Sequence, residues 1–315
     1  TTTTHARALI CIHAVQAGLD VYAEKPLTLT IEEGRVLVKA ARKHKRVVQV
    51  GTQCRSLELY SWVNDLVRSG RLGTIEKVVA HNFEPPVRRE PKAGQAPPKE
   101  LNWDMWCHQT PLVPYVPDEM HPSCDLWGKW WDYDGGGLRW GMTGWGTHSL
   151  DMVQAALGTD DTGPVEVWPE KPGDDHSPVL MRYADGRRLE LTLPTGYGKF
   201  WGQIFHGKNG TIEFFLDKLE SQPSELVAGH PKPQGYPALP HLEDWIACMT
   251  SRKRPRADVE IAHRSSTLCH LANIARQLGR RLNWDPEKEQ FAGDDEANAL
   301  RSRPRRKGYE LPTII

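Results

Sequence analysis

What the sequence lacks narrows its function before any motif is read. Its 40 Lys and Arg balance 40 Asp and Glu, so the chain carries no overall field that draws it to nucleic acid or to an anionic membrane. No stretch approaches the roughly 18 to 20 apolar residues of a spanning helix, and the mean hydropathy of -0.56 is that of a soluble chain. Cys11, Cys54, Cys107, Cys124, Cys248 and Cys269 lie far apart with no C-x-x-C pair, which suggests neither a disulfide framework nor a zinc ribbon. A reducing, cytoplasmic compartment is the expectation. No His/Cys spacing makes a metal site, and H-E-x-x-H, Walker A and G-x-S-x-G motifs are absent. A G-x-G-x-x-G turn between a first strand and helix is absent too. Gly196-Tyr197-Gly198 with Gly202 falls among alternating strands, where it marks a turn, and Gly135-Gly136-Gly137 suits a close backbone approach to a ligand or a sharp turn.

What is present is length enough for two domains, 315 residues, each with its own core. The chain opens on Thr1-Thr2-Thr3-Thr4-His5 without an initiator Met and reads as the edge of a longer sequence. Ala6, Leu9, Ile10, Ala14 and Ala17 recur at helical spacing, with Thr4 as N-cap and Gly18 as stop. A strand over 20–23 precedes Glu24-Lys25-Pro26, then Thr30 and Glu33 form a capping box for a helix to about His44. Val47 to Gly51 is a buried strand. Helix, strand, helix, strand with short joins predicts a parallel α/β sheet, whose ligands sit beyond the carboxyl ends of the strands. Lys25 and the segment from Gly51 to Arg55 fall at such ends.

A helix over 57–69 and a strand over 75–83 lead into a proline- and tryptophan-rich excursion over 84–130, a length that is usually functional. A helix over 146–157 follows. From 163 to 216 the period becomes two, with Leu189, Leu191 and Leu193 alternating with Arg188, Glu190 and Thr192 and a hairpin signal at Asp185-Gly186. This predicts an antiparallel sheet with one wet or partner-facing side. Helices over 242–250 and 259–278 and a charged tail that wraps the surface complete the chain.

A lysine fixed at a strand end in a crevice can serve as acid, base or hydroxyl-binding donor, and Pro26 restricts the backbone of Lys25 to extended geometry that aims the side chain. A surface charge is the plainer alternative. His148 and Asp151 share one helix face through i, i+3 spacing, so the carboxylate could orient the imidazole; a structural histidine is the competing reading. Lys25 and His148 come from different domains, as a cleft between domains requires. Trp103, Trp106, Trp127, Trp130, Trp131, Trp140 and Trp145 crowd the excursion, either to stack on a sugar ring or to pin down a long loop. Arg252-Lys253-Arg254-Pro255-Arg256 reads as a solvated loop before a helix.

Seven separated segments carry a resemblance over nearly the whole chain. They are the Thr-rich loop with His5, Asp20 to Leu27, Gln49 to Arg55, Asn102-Trp103-Asp104-Met105-Trp106, Trp131-Asp132-Tyr133-Asp134-Gly135-Gly136, Trp145-Gly146-Thr147-His148, and Trp284 to Glu289. Together they resemble the Gfo/Idh/MocA family, the glucose-fructose oxidoreductase and inositol dehydrogenase group. The resemblance implies the C-terminal part of a Rossmann dinucleotide-binding domain over 1–56. It implies a substrate and oligomerisation domain over 57–315, an α/β domain with a large open, mainly antiparallel sheet. It further implies NAD or NADP and hydride transfer at a carbinol of a sugar, sugar derivative or cyclitol. Lys25 and His148 would be catalytic. Thr3, Thr4, His5, Glu24, Lys25 and Arg55 would lie along the cofactor, and Arg55, Trp131, Tyr133, Trp145 and Asp151 along the substrate. No metal is implied. The uncovered sheet face suggests a homo-oligomer, a dimer or tetramer.

Two departures from the family pattern stand out. Its first strand, Gly-rich turn and ribose-binding acid should precede Thr1, two βα units that amount to very roughly 60 to 80 residues; an export signal there would make the periplasm the compartment. Gly144 stands where such sequences usually carry Asp, which removes a carboxylate that would raise the basicity of His148. Two other readings therefore stay open: a glycosidase or lyase in which NAD stays bound and oxidation is transient, and an inactive, truncated sugar-binding or assembly module.

Overall fold

The computed structural model describes residues 2–120, 127–133, 135–136, 140–194, 202–216 and 218–313. Cys124, Asp134, Gly137 and Gly196-Tyr197-Gly198 lie outside the described residues, as does the Trp127 side chain. The first helix, α1 (Thr4–Gln16), is capped by Thr3 and not by Thr4. Thr3 makes no side-chain cap bond, because its Oγ1 sits 3.2 Å from His5 Nε2 instead. Ala8, Leu9, Ile12 and Val15 turn inward, and Gly18 leaves the helix at φ +86°, where glycine has no Cβ penalty.

The chain then forms β1 (Val21–Ala23), α2 (Ile31–Lys43) and β2 (Val48–Val50). Val21 lies opposite Val48 in a parallel pair, a pairing that requires a crossover such as α2. The capping box is present: Thr30 Oγ1 accepts from Glu33 N at 3.3 Å, and the Glu33 carboxylate faces the Thr30 amide while also accepting from Leu29 N and from Arg305 of the C-terminal tail. Cys11, Ile12, Val15, Leu37, Val38, Val48 and Val50 make the core of this unit.

After a tight 3-10 turn at Gln53–Ser56 come α3 (Glu58–Arg68) and β3 (Ile75–His81), then two short helices in the excursion, α4 (Trp103–Cys107) and α5 (Pro117–Met120). α6 (Trp145–Leu157) leads to β4 (Glu166–Pro169), β5 (Val179–Arg182), β6 (Arg188–Leu193), β7 (Gln203–Gly207), β8 (Gly210–Phe215) and β9 (Lys218–Gln222). α7 (Leu239–Ser251), α8 (Val259–Leu278), β10 (Leu282–Asp285), β11 (Gln290–Phe291) and α9 (Asp295–Ala299) follow. The large sheet runs β11-β10-β4-β5-β6-β3-β7-β8-β9. All its pairings are antiparallel except β3 with β6, which are parallel. Val78, Val167, Met181, Leu189, Leu191, Phe205 and Ile212 are buried on the face covered by α3, α6 and α8. Cys11, Cys54, Cys107, Cys248 and Cys269 are buried thiols.

α8 joins the two cores. Its Val259 and Ala262 pack with β1 and β2, while Leu268, Leu271, Ala272 and Ala275 pack under the large sheet. At 20 residues it spans about 30 Å. Asp258 caps it by accepting from Glu260 N, and a bridge between Gln49 and Asp258 ties its start to the edge of β2. The charged tail does wrap the surface: Arg303 lies 4.0 Å from the Trp131 ring, Arg305 reaches Glu33, and Arg306 reaches Asp104. No helix among the described residues is long and apolar enough to cross a membrane.

One contact between α2 and α8 leaves no room for a side chain. A Cβ on Gly34 would lie 2.2 Å from His263 Nδ1, and that ring is held from behind by Glu289 Oε1 at 2.7 Å. Gly34→Ala is expected to destabilise the protein by roughly 1–3 kcal/mol through overpacking, read as a lower urea midpoint; a midpoint at or above the parent's would show that the helices can slide apart freely.

Candidate active site

The carboxyl ends of β1 and β2 meet the start of α6 and the segment before α7. β1 ends at Ala23, which places Glu24 and Lys25 just beyond the sheet. A Cβ on Gly51 would lie 3.0 Å from Glu24 Oε2, so glycine at the exit of β2 is what lets the Glu24 carboxylate lie across it. Lys25 Nζ stands 5.3 Å from the centre of the Trp145 ring. His148, one turn along α6, is buried and tilts against Trp145 with ring centres 5.6 Å apart. Burial pushes its pKa well below the ordinary histidine value, and the charge of Lys25 pushes it the same way. The structure therefore brings Lys25, Trp145 and His148 together.

A second group of residues, not anticipated from the sequence, completes this crevice. Tyr236 Oη donates to Gln53 Oε1 and lies 3.4 Å from His148 Nδ1. With its one proton directed at Gln53, the phenol accepts from His148, which places a hydrogen on Nδ1 and the lone pair on Nε2. Gln53 Nε2 in turn donates to Tyr22 Oη at 3.3 Å, whose pKa burial and the nearby Glu24 raise to about 12. His241 locks the floor: its Nε2 lies 2.9 Å from Val50 O and its Nδ1 2.8 Å from Ser56 Oγ. Tyr236 sits in a proline- and glycine-containing stretch with no periodicity. The only trace of it in the sequence is an aromatic residue just ahead of a helix start.

Arg55 and Asp151 lie deeper. Arg55 Nε donates to Asp151 at 2.7 Å, and its terminal nitrogens donate to Asp160 at 2.7 and 2.9 Å. Ser265 Oγ donates to the other Asp151 oxygen at 2.7 Å. Burial opposes the charge on Arg55, yet the two carboxylates raise its pKa above the ordinary arginine value. The exit of β2, α6 and α8 are thus clamped by one buried ion cluster immediately behind His148.

Thr3, Thr4, His5, Trp131 and Tyr133 lie in other surroundings. His5 is buried, with Nε2 2.7 Å from Trp106 O and its ring edge-on to Trp106 and Tyr133. Desolvation lowers its pKa to about 4. Tyr133 donates to Pro111 O, and Trp103 stacks on Trp106 with ring centres 4.7 Å apart. These contacts anchor the excursion onto the start of α1. No group of three or more His, Cys, Asp or Glu suited to a metal ion occurs among the described residues.

Comparison with known proteins bears on the family and the fold. The family model described as "Oxidoreductase family, NAD-binding Rossmann fold" matches residues 1–52, and "Oxidoreductase family, C-terminal alpha/beta domain" matches residues 72–311. Inositol 2-dehydrogenase of Serratia proteamaculans is 29% identical over 115 residues, which is 36% of this chain and 32% of that protein. The chain thus aligns with about a third of that curated relative's length. An inositol dehydrogenase homolog from Azotobacter vinelandii, solved with NAD+, superposes with a TM-score of 0.63 at 17% identity, covering 90% of this chain and 77% of that one. The WlbA dehydrogenase from Bordetella pertussis, solved with NADH and UDP-GlcNAcA, gives 0.61 at 18% identity, covering 90% and 78%. An aldose-aldose oxidoreductase from Caulobacter crescentus, solved with glycerol, gives 0.56 at 17% identity, covering 90% and 77%. These likenesses are of fold.

The ion cluster can be tested apart from any activity. Asp151→Asn leaves the buried Arg55 with only the half-exposed Asp160, and is expected to cost roughly 3–5 kcal/mol in chemical denaturation. Asp160→Asn should cost clearly less. Equal losses from the two would mean that Asp151 is not the carboxylate that matters.

Proposed function

Because the chain belongs to the Gfo/Idh/MocA family of oxidoreductases, we propose that it oxidises a carbinol carbon of a sugar, sugar derivative or cyclitol with NAD or NADP. The observation that carries this reading is the meeting of Lys25, from the exit of the parallel pair, with His148 on α6 beside the Trp145 ring. The residues present fit the nicotinamide end of such a cofactor. Thr52 Oγ1 is buried without a hydrogen-bond partner at the exit of β2, and the Glu24 carboxylate lies against Gly51; polar groups there stand where open α/β sheets place dinucleotides. Glu24 and Lys25 would hold it, while Thr3 and His5 at the opening of α1 are engaged with each other and with the excursion. When bound, the nicotinamide supplies the hydride-accepting carbon.

The rest of the chemistry falls to the chain's own side chains. Lys25, cationic, donates to the substrate hydroxyl oxygen and stabilises the negative charge that grows there as the C–H bond weakens. His148 enters neutral, since burial and Lys25 both disfavour its charged form, and Nε2 takes the hydroxyl proton. Tyr236 holds the imidazole in that tautomer from a position where a carboxylate is not available, Gly144 being the N-cap of α6. Trp145 offers a flat face to the substrate ring. Tyr133 and Trp131 are taken up by Pro111 and Arg303 away from the crevice, and Arg55 and Asp151 act from behind as positioning residues.

We expect Lys25→Ala and His148→Asn each to lower kcat/KM on the order of 10²–10⁴-fold, measured as NADH formation over a panel of aldoses, sugar acids and inositols. Turnover untouched by Lys25→Ala would end this reading, and release of an aglycone without net NADH would identify a glycosidase or lyase instead. The acid limb of the rate profile should fall well below 6.5, the ordinary histidine value, because the base stays unprotonated until a more acidic pH. A limb centred near that ordinary value would place the base elsewhere.

The open face of the large sheet is the proposed contact between copies. Trp168, Leu180, Glu190, Val79, Ile204 and Glu213 stand side by side across six strands on the face away from the helices. Light scattering should return a dimer or tetramer of the 35.6 kDa chain, and Leu180→Glu should shift it to the single chain; a parent protein that runs as one chain refutes the contact.

A further inference from the structure

At the amino end of β2, opposite the Lys25–His148 crevice, a cavity of about 470 Å³ opens between the last turn of α2 and the connection from α7 to α8. Arg42, Lys45 and Arg46 line one side, and Arg252, Lys253 and Arg254 the other, with Asp258 the single carboxylate among the lining residues. Asp258 is already committed to Arg42 and to the cap of α8. Arg252 is paired with Asp20 at 2.7 Å and braced on Lys45 O at 2.8 Å. Arg46 donates to His44 O and Gly18 O at 2.9 and 2.8 Å. Among the described residues, Lys45, Lys253 and Arg254 have no carboxylate partner. Ala41, Val47 and Pro255 supply an apolar floor.

Two features separate this cavity from an ordinary solvated loop. Lys45 and Arg252 both hold left-handed backbone, at φ +52° and +58°, each just after a helix, where glycine is the usual occupant. Strained residues of this kind concentrate at binding sites. The partial negative charge of two helix C-termini explains part of the local cation density. It does not explain why the cations surround a hollow instead of spreading over a convex surface. Guanidinium forks match phosphate oxygens in pairs, and with Arg42 and Arg252 neutralised by Asp258 and Asp20, the charges of Lys45, Arg46, Lys253 and Arg254 still exceed what one phosphate would need. The concave shape and the balanced charge of the whole chain argue against an extended polyanion.

We propose that this cavity binds a small molecule carrying a diphosphate group. Free diphosphate and a nucleoside diphosphate share that chemistry, and the apolar floor has room for the nucleoside of the second.

The test is calorimetric titration of the 315-residue chain with inorganic pyrophosphate, with ADP and, at matched ionic strength, with sulfate. The expected result is saturable one-site binding of pyrophosphate or ADP that weakens about tenfold or more in Lys253→Ala/Arg254→Ala and, separately, in Lys45→Ala. All these side chains are exposed, so the thermal melts of the variants should superimpose on the parent's. Tighter binding of ADP than of pyrophosphate assigns the nucleoside to the apolar floor; equal binding assigns free diphosphate. The proposal is overturned by the absence of saturable binding, by sulfate binding as well as pyrophosphate does, or by affinity that neither variant changes.

Discussion

The geometry of the crevice depends on one buried ion cluster. Arg55 leaves the end of β2 and is met by Asp151 from α6, by Asp160 from the loop after it and, through Asp151, by Ser265 of α8. A guanidinium out of water is tolerable only when its charge and its donors are matched, so these elements have little freedom to drift apart. His148 precedes Asp151 by three residues on the same helix, and Lys25 leaves the strand beside the one that ends near Arg55. Fixing Arg55 therefore fixes the distance between the two groups that the proposed chemistry needs. The aromatic contacts of Trp145 and Tyr236 then refine the orientation of the imidazole.

Much of this was legible in the sequence wherever the controlling interaction is local. Thr30 ahead of Ile31, the glycine after α1, and the alternation of Leu189 and Leu191 with charged neighbours each announce an element within a few residues. The aspartate and glycine at 185 and 186 announced the turn between β5 and β6 for the same reason. What stayed hidden is set at long range. Alternation tells which face of β3 is buried but not that it pairs in parallel with β6. Tyr236 reaches Gln53 across 183 residues of chain, and no periodicity encodes such a contact. The capping Glu33 carboxylate is also held by Arg305, 272 residues away. Of the residues singled out in advance, Lys25, Trp145 and His148 converge, while His5 and Tyr133 share a separate aromatic cluster.

The tryptophans divide along the same line. Trp103 and Trp106 stack on one another, and Trp130 meets Tyr133 edge-on, so these rings act as a fastener for a long segment with few backbone pairings of its own. Trp145 differs because its ring lies beside both Lys25 and His148. An aromatic face flanked by a cation and a neutral imidazole excludes water without adding charge. That environment strengthens every polar contact made inside it and accounts for the depressed basicity of the histidine.

The path of α8 has a consequence for how the protein comes apart. Because one continuous helix contributes side chains to the core of the parallel pair and to the core under the large sheet, neither core can open without stripping a partner from the other. A single cooperative transition follows from this, in place of the stepwise loss that weakly joined units would show. The slowest amide protons should then run along the middle of α8, and both ends of the chain should lose protection together.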